Sequence, residues 1–303
     1  VSVVIVSRDR PESLTWCLTG VAGLRYPNYE VIVVADPAGC AAVDAAGLAQ
    51  KIKLIAFDRA NISAARNLGI AQAARDAGVR IFENSRVTGY TQTDPATVST
   101  AHGSVRASFI VLACNGYLGK LEPRVAGKIM PINNFMVATE PLGPKRAREL
   151  IAGRFGVHDT RFVVNYFRLS EDDRLLFGGG ENYRPGFPSD IKGFVRPYML
   201  DMFPQLHDVG IDYAWGGTLS VTVNRLPHVG RLPPNLFFAQ GYSGHGISTA
   251  NFAGKVLAEA ICGSSDRFEV FADLPTHTFP GGTMFRYPGM VLGMLYYSLK
   301  DRL

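Results

Sequence analysis

The chain has little cysteine: Cys17, Cys40, Cys114 and Cys262 are the only four in 303 residues. No two stand as C-x-x-C, which excludes a zinc ribbon and a thioredoxin-type dithiol. All four sit among apolar neighbours, so the expectation is buried, reduced thiols and a cytoplasmic setting. Long apolar runs are also missing. Residues 3–6 and 290–295 are among the longest, and a bilayer span needs roughly 20. No secretory leader pattern is visible near Val1. Charge of one sign is not concentrated either. The net charge is +5, but the 31 Lys and Arg are scattered, and no nucleic-acid-binding motif occurs, so neither nucleic acid nor membrane is expected as a partner. The six histidines lack metal-ligand spacing, so no metal is expected. Internal repeats are absent.

What remains is the composition of a folded protein, 47% hydrophobic, 11% aromatic and 19% charged. A chain of this length forms one large domain or two ordinary ones and buries a sizeable core. Residues 1–6 are a β-branched run of the buried parallel-strand type. A polar loop at 7–11, a helix over 13–21, a turn at 26–29 and a second strand at 30–35 complete a βαβ unit. Its ligand sites are expected at the strand C-termini. A third strand is expected at 53–56. A helix follows over 61–74, with Asn61 as its cap.

Beyond residue 74 the pattern changes. Strands are expected at 79–82, 134–138, 162–166, 175–178, 215–223 and 236–239. A hairpin-like pair is expected from 103–106 and 109–113. Helices are expected at 145–151, 191–203 and 247–262. The expected class is therefore α/β: a parallel sheet with Rossmann-like βαβ units, plus an antiparallel substrate-binding sheet of α+β character.

Two segments carry recognisable chemistry. At 236–247 a buried strand runs through Gly241-Tyr-Ser-Gly-His-Gly246 into a helix. Glycines let backbone approach a flat ring closely, and the free N–H groups of a helix's first turn favour negative charge. Gly241–His245 is not a G-x-S-x-G elbow, because His245 stands at the final glycine. A Ser/His hydrolase is excluded on that ground.

From about Gly78 the chain resembles amine oxidoreductases of the D-amino-acid oxidase superfamily, most of all the gamma-glutamylputrescine oxidoreductase group. The likeness is carried in order by 78–83, 105–111, 115–119, Ala138–Gly143, 176–180, 203–206, 211–216, Arg225–Arg231, Gly241–Gly246 and 279–282. The resemblance implies FAD-dependent oxidation of an amine C–N bond, with oxygen as acceptor and hydrolysis of the product imine. The cofactor carries such chemistry, which explains the lack of an obvious acid–base pair, and the catalytic side chain is unknown.

It implies that Gly241, Ser243, Gly244, His245, Gly246 and Ile247 contact the flavin ring, with His245 helping to place it. Val87 would meet the adenine. Ala113, Cys114, Asn115 and Gly116 would approach the cofactor phosphates, and Gly230 would lie in a loop facing the flavin. Val87 and Cys114 serve equally well as plain core packing. Trp215 and Tyr242 are candidates for walls of the substrate pocket, against a core role for both.

Residues 1–74 resemble instead the start of family 2 glycosyltransferases of the GT-A fold, through 2–6, 30–34 and Ala64-Ala-Arg-Asn-Leu-Gly69. That resemblance places Arg8, Asp9, Asp36 and Arg66 near a nucleotide diphosphate. The Asp-x-Asp strand expected after Ala74 is replaced by 75–83, which supplies no acidic pair for a divalent metal. The alternative for this segment is that it only contributes strands and helices to a sheet. The G-x-G-x-x-G turn that opens flavin folds is missing too, and Ser7-Arg-Asp-Arg-Pro11 stands in its place. The chain reads as a junction near Ala74. Its parts are a βαβ segment at 1–74, an FAD-binding part at 75–122 and 226–275, a substrate domain at 123–225 and an extension at 276–303. Topology alone places Asp36 where a dinucleotide fold holds its ribose-binding acid.

The expected function is an amine oxidoreductase weakened by loss of the glycine turn. The alternatives are a glycosyltransferase acting on a nucleotide-sugar, or a non-catalytic remnant. Related sarcosine oxidases hold flavin through a cysteine, and none lies between Cys114 and Cys262, so FAD is expected to be non-covalent. Trichloroacetic acid should release all flavin to the supernatant; flavin remaining in the protein pellet would refute this.

Overall fold

The structure is a computed structural model that describes residues 2–7, 11–22, 30–49, 52–58, 62–161, 164–181 and 186–300. It divides into two units, Val1–Ser85 and Arg86–Leu303.

The first unit holds β1 (Ser2–Ser7), α1 (Pro11–Ala22), β2 (Glu30–Ala35), α2 (Pro37–Ala45), β3 (Lys53–Ala56) and α3 (Ile62–Asp76). Its sheet runs β1-β2-β3, all parallel. Five consecutive residues of β2, Val31–Ala35, are buried, because helices cover both faces of a parallel sheet. Leu14, Leu18, Val33 and Val43 form the core between sheet and helices. The leucines four apart on α1 give it one apolar stripe.

The second unit contains β4 (Val87–Thr91), β5 (Ala96–Thr100), β6 (Gly103–Ala107) and β7 (Ile110–Leu112). Then come α4 (Pro123–Ala126), β8 (Met130–Thr139), α5 (Gly143–Leu150), β9 (Val157–His158), β10 (Tyr166–Leu169) and β11 (Leu175–Glu181). The chain continues with α6 (Ile191–Met202), β12 (Ile211–Val221), β13 (His228–Leu232) and β14 (Leu236–Gln240). It closes with α7 (Gly246–Ile261), α8 (Asp266–Ala272) and α9 (Gly282–Lys300).

Three sheets result: an antiparallel meander β4-β5-β6, a mixed sheet β13-β14-β7 and an antiparallel sheet β12-β8-β11-β10-β9. The fold is thus mixed α/β with a large antiparallel sheet. In that sheet Phe135, Val137, Leu175 and Phe177 pack on Val195 and Met199 of α6. Leu236 and Phe238 of β14 join Ile110 and Leu112 of β7 in a second core, while Phe237 and Ala239 face α7 and α8 through Val256 and Phe268. β14 is buried on both faces, as its unbroken apolar run requires.

Several expectations change. Residues 79–82 form no strand: Val79, Ile81 and Phe82 are exposed, and the Val79 N–H donates back to Ala74 O at the end of α3. A short apolar run becomes a strand only where a partner satisfies its backbone. The segments at 103–106 and 109–113 do not pair with each other. β6 is antiparallel to β5, whereas β7 is parallel to β14. Alternation reveals a strand, but not which sheet its buried face belongs to. Of the strand expected at 162–166, residues 162–163 lie outside the described residues, and the observed strand begins at Tyr166, with Asn165 before it held by the Asp159 carboxylate. Residues 8–10 of the first polar loop, the 26–29 turn and the Asn61 cap lie outside the described residues. The cysteines are also corrected: Cys17 and Cys262 are exposed, and Cys40 and Cys114 are half-buried. Apolar neighbours in sequence do not make a residue buried when it falls on the outer face of a helix.

Phe177 is fully buried, whereas Val270 on α8 is 66% exposed. Phe177→Ala should cost about 3–5 kcal/mol in urea unfolding. Val270→Ala should stay within about 0.5 kcal/mol of the parent.

Candidate functional site

Because β7 and β14 are parallel neighbours, their C-terminal ends emerge side by side. Ala113–Gly116 follows one and Gly241–Ile247 follows the other. The two turns are tied directly, since the Gly241 backbone N–H donates to Asn115 Oδ1 at 3.0 Å. Asn115 adopts a left-handed φ of 46°, which asparagine tolerates better than most residues. Gly241 has φ 72°, and a Cβ there would stand 2.5 Å from the Thr222 methyl carbon. Only glycine fits on both counts.

The turn then reverses through Ser243 and Gly244, both with positive φ. Ser243 N–H donates to Ser220 O at 2.9 Å, and Ser243 Oγ donates to Gly241 O at 3.2 Å. Helix α7 begins at Gly246 with His245 at its cap position and no side-chain cap. Its first N–H groups therefore keep their donor capacity, and the dipole adds partial positive charge. Ile247 is 74% exposed, so this donor edge is open. Ser220 Oγ, buried beside the same turn, has no hydrogen-bond partner. An open donor edge with an unpartnered hydroxyl beside it fits the anionic edge of a flat ring. The residues present fit that edge of an FAD; the chain carries no glycine turn for its pyrophosphate.

The other expected site residues separate from this pair of turns or take other work. Gly230 lies within β13 rather than in a loop, and its missing side chain makes room for the Phe238 ring, 2.6 Å from where a Cβ would stand. Gly116 is pressed against β12, with Leu219 O 3.0 Å from a notional Cβ. Val87 opens β4 and pairs with Thr100 in a different sheet. Tyr242 packs into the core between β13, β14 and α7, where burial pushes its phenol pKa up. Trp215, on β12, pairs with Met136 of β8 and is 44% exposed. Cys114 is half-buried, and burial raises its thiol pKa, so it stays a thiol.

In the first unit Asp36 is buried and caps α2, accepting from Gly39 N at 2.9 Å. The expected ribose-binding acid is therefore occupied as a helix cap. Arg66 lies on α3, and Arg8 and Asp9 lie outside the described residues.

A buried polar chain supports β14 from beneath and was not anticipated. Gln240 Nε2 donates to Val125 O at 2.9 Å and to His228 Nδ1 at 3.1 Å. Burial, then the charge of Lys128, holds the His228 pKa down at about 4. Beside it Glu122, also buried, accepts from Tyr90 OH and from Arg124 Nε and Nη2. These bonds hold its pKa at about 2, with the Arg124 contact the largest cause and burial opposing. The sequence signal for His228 was a titratable residue amid apolar neighbours; Glu122 stands between Lys120 and Arg124 and gives no such signal.

These features define a class: an α/β protein whose parallel strand ends carry an anion-receptive, glycine-shaped turn. The family described as "FAD dependent oxidoreductase" matches residues 61–260, and the chain belongs to it. The glycosyl transferase family 2 matches residues 2–82, so the two matches overlap.

Among curated relatives, gamma-glutamylputrescine oxidoreductase of Escherichia coli (strain K12) is 44% identical over 237 residues, covering 78% of this chain and 56% of that protein. The probable oxidoreductase OrdL of Rhizobium meliloti (strain 1021) is 39% identical, covering 78% and 55%. The chain thus spans about half the length of the curated relatives it matches. The crystal structure of glycine oxidase from Geobacillus kaustophilus aligns with TM-score 0.54 at 20% identity, covering 64% of this chain and 52% of that one. That likeness bears on the fold alone.

The His228 pKa of about 4 lies below its ordinary 6.5, so the unfolded chain binds the proton more readily between those values. Its contribution is complete above pH 6.5 and is lost as pH falls towards 4. Stability should drop by about 2 kcal/mol from pH 7 to pH 5. In His228→Gln that loss should vanish in urea titrations at the two pH values.

Proposed function

We propose that this chain is an FAD-dependent oxidoreductase-like protein directed at the C–N bond of an amine, gamma-glutamylputrescine or a similar compound, with oxygen as acceptor. The observation that carries the proposal is the Asn115–Gly241 bond, which joins two strand-end turns into one donor edge. The 44% identity to gamma-glutamylputrescine oxidoreductase supports the choice of substrate class.

When bound, FAD supplies the two-electron sink for amine oxidation. The chain's own residues do the positioning. The N–H groups of Gly244, Gly246 and Ile247 hold the negative edge of the ring, and Asn115 fixes the turn that presents them. His245 begins that helix, and Ala113 and Cys114 lead into the adjoining turn. The exposed Trp215 lines the substrate side. Residues 75–122 and 226–275 act as the cofactor part and 123–225 as the substrate part, with 276–303 as an extension. The cofactor is held without a covalent bond.

Loss of G-x-G-x-x-G removes the backbone seat of the pyrophosphate, so binding is weaker than in a complete flavin fold and turnover is impaired. The match of residues 2–82 to a glycosyl transferase family favours one other reading, a nucleotide-sugar site in the first unit. The missing Asp-x-Asp weighs against it.

Purified protein incubated with FAD and desalted should retain visible flavin absorbance and release peroxide with gamma-glutamylputrescine. Asn115→Ala should weaken FAD binding by about tenfold, roughly the value of one charge-assisted or buried hydrogen bond. A folded protein that stays colourless after incubation with FAD would overturn the proposal.

A further inference from the structure

An open pocket of about 410 Å³ lies between β4 and the turn that leads into α4. Its walls include Tyr90, Gln92, Lys120, Leu121 and Arg124. The volume is within the range of small-molecule sites, and its rim is cationic.

The hydrogen bonds within the pocket decide what it can hold. Arg124 Nε donates to Glu122 Oε1 at 2.9 Å, and its Nη2 donates to Glu122 Oε2 and Gln92 Oε1, each at 2.8 Å. Gln92 is itself fixed by donating to Leu232 O at 2.8 Å. Glu122 is only 3% exposed, so it anchors the guanidinium from the protein side. A guanidinium has five N–H donors, and these bonds use three. The Tyr90 hydroxyl also lies against the guanidinium, and the two Nη1 donors are not used in the bonds to Glu122 and Gln92. Lys120 Nζ, on the same rim, has no hydrogen bond or ion pair among the described residues and adds three donors.

The geometry favours one anion class. A carboxylate pairs best with the Nε–Nη2 edge of an arginine, and Glu122 already occupies that edge. What is left is the Nη1 group and a separate ammonium on a flexible stem. Both side chains line the same pocket, and donors on two separate side chains can reach a tetrahedral oxyanion from different directions. Glu122 offsets one of the two positive charges, so the rim keeps a net positive charge for the ligand. The Arg124 donors are pre-ordered, which lowers the entropy cost of binding. An oxyanion alone would fill a small part of the volume, and Tyr90 and Leu121 offer apolar surface for an organic remainder.

We propose that this pocket binds a phosphoryl group, either of a small phosphorylated metabolite or of free phosphate. The inference does not rest on the flavin reading. Thr88 on its wall directly follows Val87, the expected adenine neighbour, so FAD enters the test as a competitor.

The test is calorimetric titration of the full chain, in chloride buffer, with inorganic phosphate, ribose 5-phosphate and ribose. Both phosphorylated probes should bind saturably and ribose should not. Ribose 5-phosphate binding about tenfold tighter than phosphate identifies a metabolite as the source; equal affinity identifies free phosphate. Lys120→Ala should weaken both by about tenfold and Lys120→Arg should restore them. Lys120 is exposed and unpaired, so the unfolding midpoint should not move. Arg124→Ala is the poorer variant because it strands the buried Glu122 carboxylate. Absence of saturable binding, equal binding of ribose, an unchanged affinity in Lys120→Ala, or displacement of phosphate by FAD would each overturn the proposal.

Discussion

The parallel pairing of β7 with β14 is the constraint on which the candidate site depends. Parallel strands end on the same side of a sheet, so the turns after Leu112 and Gln240 must meet. The Asn115–Gly241 bond then fixes their spacing. Everything placed around it follows from that meeting: the positive φ values at 115, 241, 243 and 244, the uncapped start of α7 and the unpartnered Ser220 hydroxyl. The pairing is held from both faces by β14, whose alternate side chains serve two different cores.

Much of this was legible in residues alone. The runs at 30–35 and 53–56 were recovered to the residue; the first is legible because a parallel strand buried on both faces leaves an unbroken β-branched stretch. The Gly241–Gly246 cluster announced a tight turn, and it forms the turn after β14 that Asn115 holds. Hidden features had a common cause. Residues 87–91 and 96–100 are polar enough to read as loops, yet they form β4 and β5 because each completes the other's backbone pairing. Gly230, expected to face the flavin, lies in β13 with the Phe238 ring where its side chain would be. A glycine declares that something comes close, not what. Asp36, expected at a ribose, stands at a strand end where it caps α2 by accepting from Gly39 N.

The two units express different halves of a familiar requirement. The first has the βαβ topology, with Asp36 at the end of its second strand serving as the cap of α2. The second has the receptive strand ends without a G-x-G-x-x-G turn. Family matches that overlap at 61–82 are the sequence counterpart of that division. Beneath the second site, His228, Gln240 and Val125 form a connected polar chain in an apolar setting. Such networks hold geometry firmly when every member is satisfied. They also make the arrangement sensitive to acid, since a protonated His228 loses its acceptor.

Helix α9 is fastened to the same region in another way. Arg286 reaches from it to the carbonyl oxygens of Ala126 and Ile129, the latter at 2.7 Å. Arginine does not lose its proton in proteins, and backbone carbonyls do not titrate. This tether is therefore indifferent to pH across the whole range in which His228 and Glu122 respond. Acidification would slacken the support under β14 while α9 stays moored, so the molecule would come apart from its interior polar chain outward rather than by shedding its last helix.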